Sequence, residues 1–77
     1  MIKVLYFASI KDLTEKTEEE FHVEGITVRE LYEQLKKNYG SLDQYGLRFA
    51  VNEEFVTEDE ILKSGDIVAL IPPVSGG

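Results

Sequence analysis

The chain contains no cysteine. That absence excludes disulfides, thiolate metal sites and any cysteine nucleophile or persulfide carried on this chain. Basic residues are scarce, 8 against 15 acids, for a net charge of −7. Such a surface repels phosphate backbones and anionic lipid, so neither nucleic acid nor a membrane surface is an expected partner. The apolar runs are far too short to span a bilayer. No glycine-rich phosphate loop occurs, so no nucleotide site is expected here. Proline is nearly absent, and both copies stand together as Pro72 and Pro73. The opening Met1-Ile2-Lys3-Val4 enters a strand pattern directly, without a leader's apolar region or cleavage site. The expected location is therefore cytoplasmic.

What remains is a chain of 77 residues, enough for one domain. A domain of this size buries only about 60% of its unfolded surface, and without staples its core must come from the apolar 43%. Ile2 to Ala8 reads as a strand with Ile2, Val4, Tyr6 and Ala8 on the core face. Lys3, Leu5 and Phe7 lie on the other. Ile10 and Leu13 fit a short helical turn within Ser9 to Lys16. Glu20 to Glu24 alternates as a half-buried strand, with Phe21 and Val23 inward.

The strongest local signal is Thr27 to Tyr39. Val28, Leu31, Tyr32, Leu35 and Tyr39 form one apolar helical stripe. Thr27 and Glu30 make a capping box, and Ile26 can staple against Leu31. Lys36 and Lys37 suit the negative end of the helix dipole, and Gly40 provides the stop. Leu47, Phe49 and Val51 alternate as a third strand, Asn52-Glu53-Glu54 turns, and Phe55-Val56 returns. Glu58 to Lys63 is expected to form a helical turn carrying Ile61 and Leu62 inward. Ser64-Gly65-Asp66 then turns into Ile67 to Ile71, an apolar run typical of a central strand.

The first and last strands are apolar on both faces, so they belong side by side in the middle of a sheet. One amphipathic helix can cover one face of a mixed sheet of about five strands, giving a two-layer α+β domain. This is the β-grasp, or ubiquitin-like, arrangement.

The chain ends Ile71-Pro72-Pro73-Val74-Ser75-Gly76-Gly77, with no side-chain charge and nothing bulky after Val74. Chain ends are usually polar and disordered. Here two prolines stiffen the exit from an apolar run, and the α-carboxylate of Gly77 is the one reactive group in reach. Such a tail suits threading into another protein's active site. A frayed end is the competing reading of Gly-Gly alone, but it fits less well after Pro-Pro-Val-Ser and a core strand. The expected division is a domain over residues 1–71 and a functional tail over 72–77.

Phe7 falls on the outer face of the first strand. If Val68 and Leu70 point at the helix, Ala69 and Ile71 join it there, and Phe55 can extend the patch. Phe7, Phe55 and Ile71 are the candidate partner surface; for Phe55, burial in the core is an equal alternative. Other signals carry less. His22 between Glu20 and Glu24 lacks convergent ligands from other elements, so no metal site is expected. Glu18-Glu19-Glu20 reads as a solvated edge that discourages strand pairing. Glu58-Asp59-Glu60 reads as a helix N-terminus rather than an acid–base pair. Lys11 and Arg48 can dock an acidic surface, but nothing in their spacing singles them out.

Four segments together carry a resemblance. They are Met1-Ile2-Lys3-Val4-Leu5-Tyr6-Phe7-Ala8, Ala50-Val51-Asn52 before a turn, Gly65-Asp66 before the last strand, and the Pro72-Pro73-Val74-Ser75-Gly76-Gly77 ending. The chain resembles, end to end, the MoaD family of small sulfur-carrying subunits of molybdopterin synthase. The resemblance implies a β-grasp fold and no enzyme activity in isolation. It implies that an adenylating enzyme of the ubiquitin-activating type uses ATP to make an acyl-adenylate on Gly77. A sulfur donor protein would then convert Gly77 to a thiocarboxylate. No cofactor is expected on the chain itself. The tail would enter the large subunit, in a heterotetramer of two small and two large subunits, and donate sulfur to cyclic pyranopterin monophosphate.

Under this reading Gly76 and Gly77 let a narrow channel close on the backbone and leave the carbonyl unhindered. Pro72 and Pro73 hold the exit extended, so that Val74 and Ser75 carry the end roughly 15–20 Å from the domain. The alternatives are a carrier for another pathway (thiazole, cysteine or tRNA thiolation), a ubiquitin-like protein modifier, or a non-covalent binding module.

Overall fold

A computed structural model describes residues 1–73 of the chain. In order, the elements are β1 (Ile2–Tyr6), α1 (Ala8–Thr14), β2 (Glu18–Phe21), α2 (Val28–Tyr39), a 3₁₀ turn (Leu42–Tyr45), β3 (Arg48–Val51), β4 (Glu54–Val56) and β5 (Ile67–Ile71). The five strands form one sheet in the order β2-β1-β5-β3-β4. β1 and β5 are parallel neighbours, and the other pairs are antiparallel. The two strands that are apolar on both faces thus lie side by side inside the sheet, in the expected β-grasp arrangement.

The helix follows from its caps as well as its stripe. Thr27 and Glu30 close a capping box, and the Gly40 N–H donates to the Lys36 carbonyl where the helix stops. The remaining amino-terminal amides are met by a distant segment. Val28 N–H donates to the Glu60 carbonyl at 2.9 Å and Arg29 N–H to that of Glu58 at 3.0 Å. The donors that a helix start leaves unpaired are therefore occupied. Val28, Leu31, Tyr32 and Leu35 pack onto Ile2, Val4, Val68 and Leu70, all buried in one core that Ile10, Leu42, Phe49 and Leu62 complete. Full burial of each such aliphatic side chain contributes about 1.5–3 kcal/mol.

Three expectations are corrected. β1 ends at Tyr6, and Ala8 is exposed at the start of α1 with φ 50. A left-handed alanine costs about 1 kcal/mol, and the turn it makes delivers Ile10 into full burial. The second strand spans Glu18–Phe21 rather than Glu20 to Glu24, because pairing of Ile2 with Phe21 and Leu5 with Glu18 sets the register. The charge run is thus a paired edge strand, with only Phe21 and part of Glu19 covered. Residues 58–63 form no helical turn. Their carbonyls cap α2, Ile61 bridges to Thr27 and is 58% exposed, and Leu62 alone turns inward.

Candidate functional site

The sheet face away from α2 is where the functional candidates gather. Cross-strand pairing sets one row across all five strands: Glu18, Leu5, Ala69, Ala50 and Phe55. In the next row, toward the end of β5, Ile71 pairs with Arg48, and Phe7 follows the last residue of β1. On the other side, Ile67 pairs with Lys3, and Lys3 with Glu20. Strand alternation puts these residues outward because Val4, Tyr6, Phe49, Val51, Val68 and Leu70 face the core.

Phe7 is 46% exposed, Phe55 58% and Ile67 41%, while Ile71 is half-buried. With Leu5 and Ala69 they line a shallow apolar depression of about 500 Å³. The face brings together the three residues expected there, Phe7, Phe55 and Ile71, and Phe55 is on the surface rather than in the core. Sequence reasoning missed Ile67, although it alternates with Ala69 and Ile71 and carried the same signal. It offered Arg48, together with Lys11, as a group that can dock an acidic surface, but did not single it out. The Arg48 guanidinium carbon lies 3.9 Å from the Phe55 ring centroid, stacked over an aromatic on the neighbouring strand.

β5 ends at Ile71, and the chain continues through half-buried Pro72 and exposed Pro73. Val74, Ser75, Gly76 and Gly77 lie outside the described residues.

Three polar clusters brace the domain behind and beside this face. Glu19 accepts from Tyr6 Oη at 2.8 Å, Tyr39 Oη at 2.6 Å and Lys16 Nζ at 3.2 Å. Partial burial pushes the Glu19 carboxyl up, but the hydrogen bonds from Tyr39, Tyr6 and Lys16 outweigh it and hold the group below the usual range. Burial, then the hydrogen bond to Glu19, pushes the Tyr6 phenol well above its ordinary value. Tyr32, on the buried face of α2 and donating to Asp43 at 2.7 Å, moves the same way. The third cluster joins two motifs that are remote in sequence. Asn52 Nδ2 donates to Asp66 Oδ1 at 2.9 Å, and Asn52 Oδ1 accepts the Ile67 N–H at 3.0 Å. These clusters hold strands, helices and turns in register, and none converges on an open polar pocket suited to acid–base chemistry. Among the described residues no group of three His, Cys, Asp or Glu side chains is placed to hold a metal ion. Nor is any described helix long and apolar enough to cross a membrane.

A β-grasp domain with an apolar outer face at the root of its carboxy-terminal segment defines a ubiquitin-like protein. Residues 4–77 match the ThiS family, and the chain belongs to it. A molybdopterin synthase sulfur carrier subunit from Chlamydomonas reinhardtii is 40% identical over 81 residues, covering 99% of this chain and 98% of that protein. Among solved structures, a candidate molybdopterin converting factor subunit 1 from Pyrococcus furiosus superposes with a TM-score of 0.85 at 38% identity. It covers 95% of this chain and 97% of that one. A Helicobacter pylori complex of subunits 1 and 2 of molybdopterin-converting factor gives a TM-score of 0.69 at 28% identity, covering 99% of this chain and 97% of that one.

Proposed function

We propose that this chain is the sulfur-carrier subunit of a molybdopterin synthase and performs no chemistry alone. The observation that carries the reading is the extent of the likeness: the family match runs through Gly77, and the Chlamydomonas sulfur carrier aligns over 99% of the chain. The subunit 1–subunit 2 complex from Helicobacter pylori supports a large subunit as partner. A heterotetramer of two small and two large subunits is the assembly we propose.

A free carboxylate is a poor electrophile, so the Gly77 carboxylate first attacks the α-phosphorus of ATP on an adenylating partner. The acyl-adenylate forms and pyrophosphate leaves. Sulfur at the sulfide level, supplied by a donor protein, then displaces AMP and leaves a thiocarboxylate on Gly77. The chain has no cysteine, so sulfur can ride only on this terminal carbonyl. Within the large subunit the thiocarboxylate gives its sulfur to cyclic pyranopterin monophosphate, and hydrolysis returns Gly77 to the carboxylate. Two such deliveries supply the dithiolene. We propose a cytoplasmic site for the cycle, in line with an opening that enters a strand pattern directly.

The residues divide the work. Gly76 and Gly77 admit a narrow channel to the backbone. Pro72 and Pro73 keep the exit extended and reduce the entropy lost on insertion, with Val74 and Ser75 spanning to the reacting end. Phe7, Phe55 and Ile71, with Leu5 and Ile67, dock the large subunit at the foot of the tail. Intact mass spectrometry of the chain from its own host tests the reading. A subpopulation heavier by one oxygen-to-sulfur exchange at Gly77 is expected. Deleting Gly76 and Gly77 should abolish molybdenum-enzyme activity in a host lacking other copies, and undiminished activity would refute the proposal.

A further inference from the structure

Arg48 is anomalous on this surface. The chain is strongly acidic, and its other outer-face cation, Lys3, is neutralised by Glu18 at 3.5 Å. Lys16, Arg29 and Lys36 also sit within ion-pair distance of carboxylates. Among the described residues Arg48 makes no ion pair; Lys11, Lys37 and Lys63 make none either, but they lie on α1, α2 and a loop, and Arg48 alone of these four stands on the outer face of the sheet. It is exposed, faces the same side as Ala50, and pairs across strands with Ile71, the last strand residue before the tail.

Its geometry is that of a group held ready. The guanidinium carbon lies 3.9 Å over the Phe55 ring, which holds the charged group against the face. A stacked guanidinium keeps its edge N–H donors free and loses less side-chain entropy when it meets a carboxylate than a free lysine would. The face is therefore polarised: Glu18, paired with Lys3, and Glu20 border it on β2, Glu53 lines its depression, and among the described residues its one unpaired cation, Arg48, stands at the corner where the tail leaves. Six residues separate Ile71 from the terminal carboxylate at Gly77, about 20 Å of extended chain. Arg48 thus sits at the root of the tail, far from the reacting carbonyl of an extended tail, and its role belongs to docking.

From this we infer that Arg48, stacked on Phe55, is the charged anchor of the docking face and pairs with a carboxylate on the large synthase subunit. This rests on the docking face assigned above. The partner surface it fits is apolar at its centre, carries an acidic residue at the tail-exit corner, and carries none opposite Glu18 and Glu20. Complementary charges of this kind set orientation and association rate as well as affinity.

The test uses the full chain and the large subunit of the same host, with dissociation constants measured at low and high salt. Arg48→Gln is expected to weaken binding about tenfold and to flatten its salt dependence, and Arg48→Glu to weaken it further. Arg48→Lys should recover the salt dependence but only part of the affinity, since the charge returns without the planar stack. Melting temperatures of the free variants should stay near wild type, because Arg48 is exposed. Phe7→Glu is the control for the face itself. If Arg48→Glu binds like wild type while Phe7→Glu does not, the anchor is refuted and the face stands. If both bind like wild type, the face assignment fails and the anchor with it. Loss of binding to the adenylating enzyme alone, with the large subunit unaffected, also overturns the inference.

Discussion

The Tyr39 hydroxyl, in the last turn of α2, donates a 2.6 Å hydrogen bond to Glu19 on the edge strand β2. The same carboxylate oxygen accepts from Tyr6, whose ring meets Tyr39 edge-on with centroids 6.1 Å apart. One glutamate from a run of three thereby joins β1, β2 and α2. Replacing Glu19 by Ala strands the hydroxyl of Tyr6, a residue only 2% exposed, and should cost about 1–3 kcal/mol. Tyr39→Phe removes a donor that is less deeply placed and should cost about 1 kcal/mol. Urea unfolding decides the matter through its midpoints at constant slope. Identical midpoints for Glu19→Ala and wild type would dismiss the network.

This cluster and the two around Tyr32 and Asp66 set the pH profile. Glu19 titrates lower in the folded chain than its ordinary 4.5, and Asp66, held by the Lys63 N–H and Asn52, titrates below 3.8. The unfolded chain therefore takes up protons first as pH falls. The stability these groups contribute is complete above the ordinary values and is lost as pH drops through the lower folded ones. At the other end, Tyr6 and Tyr32 ionise well above their ordinary 10.0, so the unfolded chain releases protons first and stability falls as pH rises past that value. Melting temperature should hold a plateau from about pH 5 to about pH 10. Glu19→Gln should shallow the acid limb and Tyr6→Phe the alkaline one; limbs that do not move would rule out these groups as their source.

Asn52 offers a sharper substitution. Its amide donates to Asp66 while its oxygen accepts from Ile67. Asn52→Asp keeps the shape, replaces the donor by an acceptor, and sets a second carboxylate against the first. A loss of about 1–3 kcal/mol at neutral pH is expected. The loss should shrink at acid pH, where one carboxyl can hold a proton between them. Chemical denaturation at two pH values checks it, and a pH-independent penalty would point to a cause other than charge.

The β3–β4 turn can be improved. Its two loop residues, Asn52 and Glu53, have φ of 50 and 72, the type I′ pattern that favours Asn-Gly. Glu53→Gly removes the side-chain penalty at the second position and gives back some of it through a freer unfolded chain. The expected gain is a few tenths to about 1 kcal/mol, visible as a raised melting temperature. A lowered one would show that the Glu53 side chain holds the turn.

Most of the architecture was legible because local signals agreed with one another. α2 carried its stripe, its capping box and its glycine stop, and all three hold in the structure. The central pairing of β1 with β5 followed from strands apolar on both faces. Where reading failed, the deciding contacts were distant. Glu20 to Glu24 alternates as well as any strand, but the register with β1 selects Glu18–Phe21. The spacing of Ile61 and Leu62 cannot reveal that the carbonyls of Glu58 and Glu60 cap a helix thirty residues earlier. Phe7 was visible through alternation, whereas Phe55 stood evenly between surface and core until the structure put it at 58% exposure. The stacking of Arg48 on Phe55 was not visible, because it depends on how β3 and β4 are aligned.

The parallel pairing of β1 with β5 has a mechanical consequence. Met1 is pinned beside the start of β5 by backbone and side-chain bonds to Gly65 and Ser64, and the tail leaves from the opposite end of that strand. A pull on the tail runs along β5 and loads its ladders with β1 and β3 sideways, all rungs at once, instead of peeling them open one by one. The domain can therefore be tugged by its own terminus as a partner releases it, and the sheet resists as a unit.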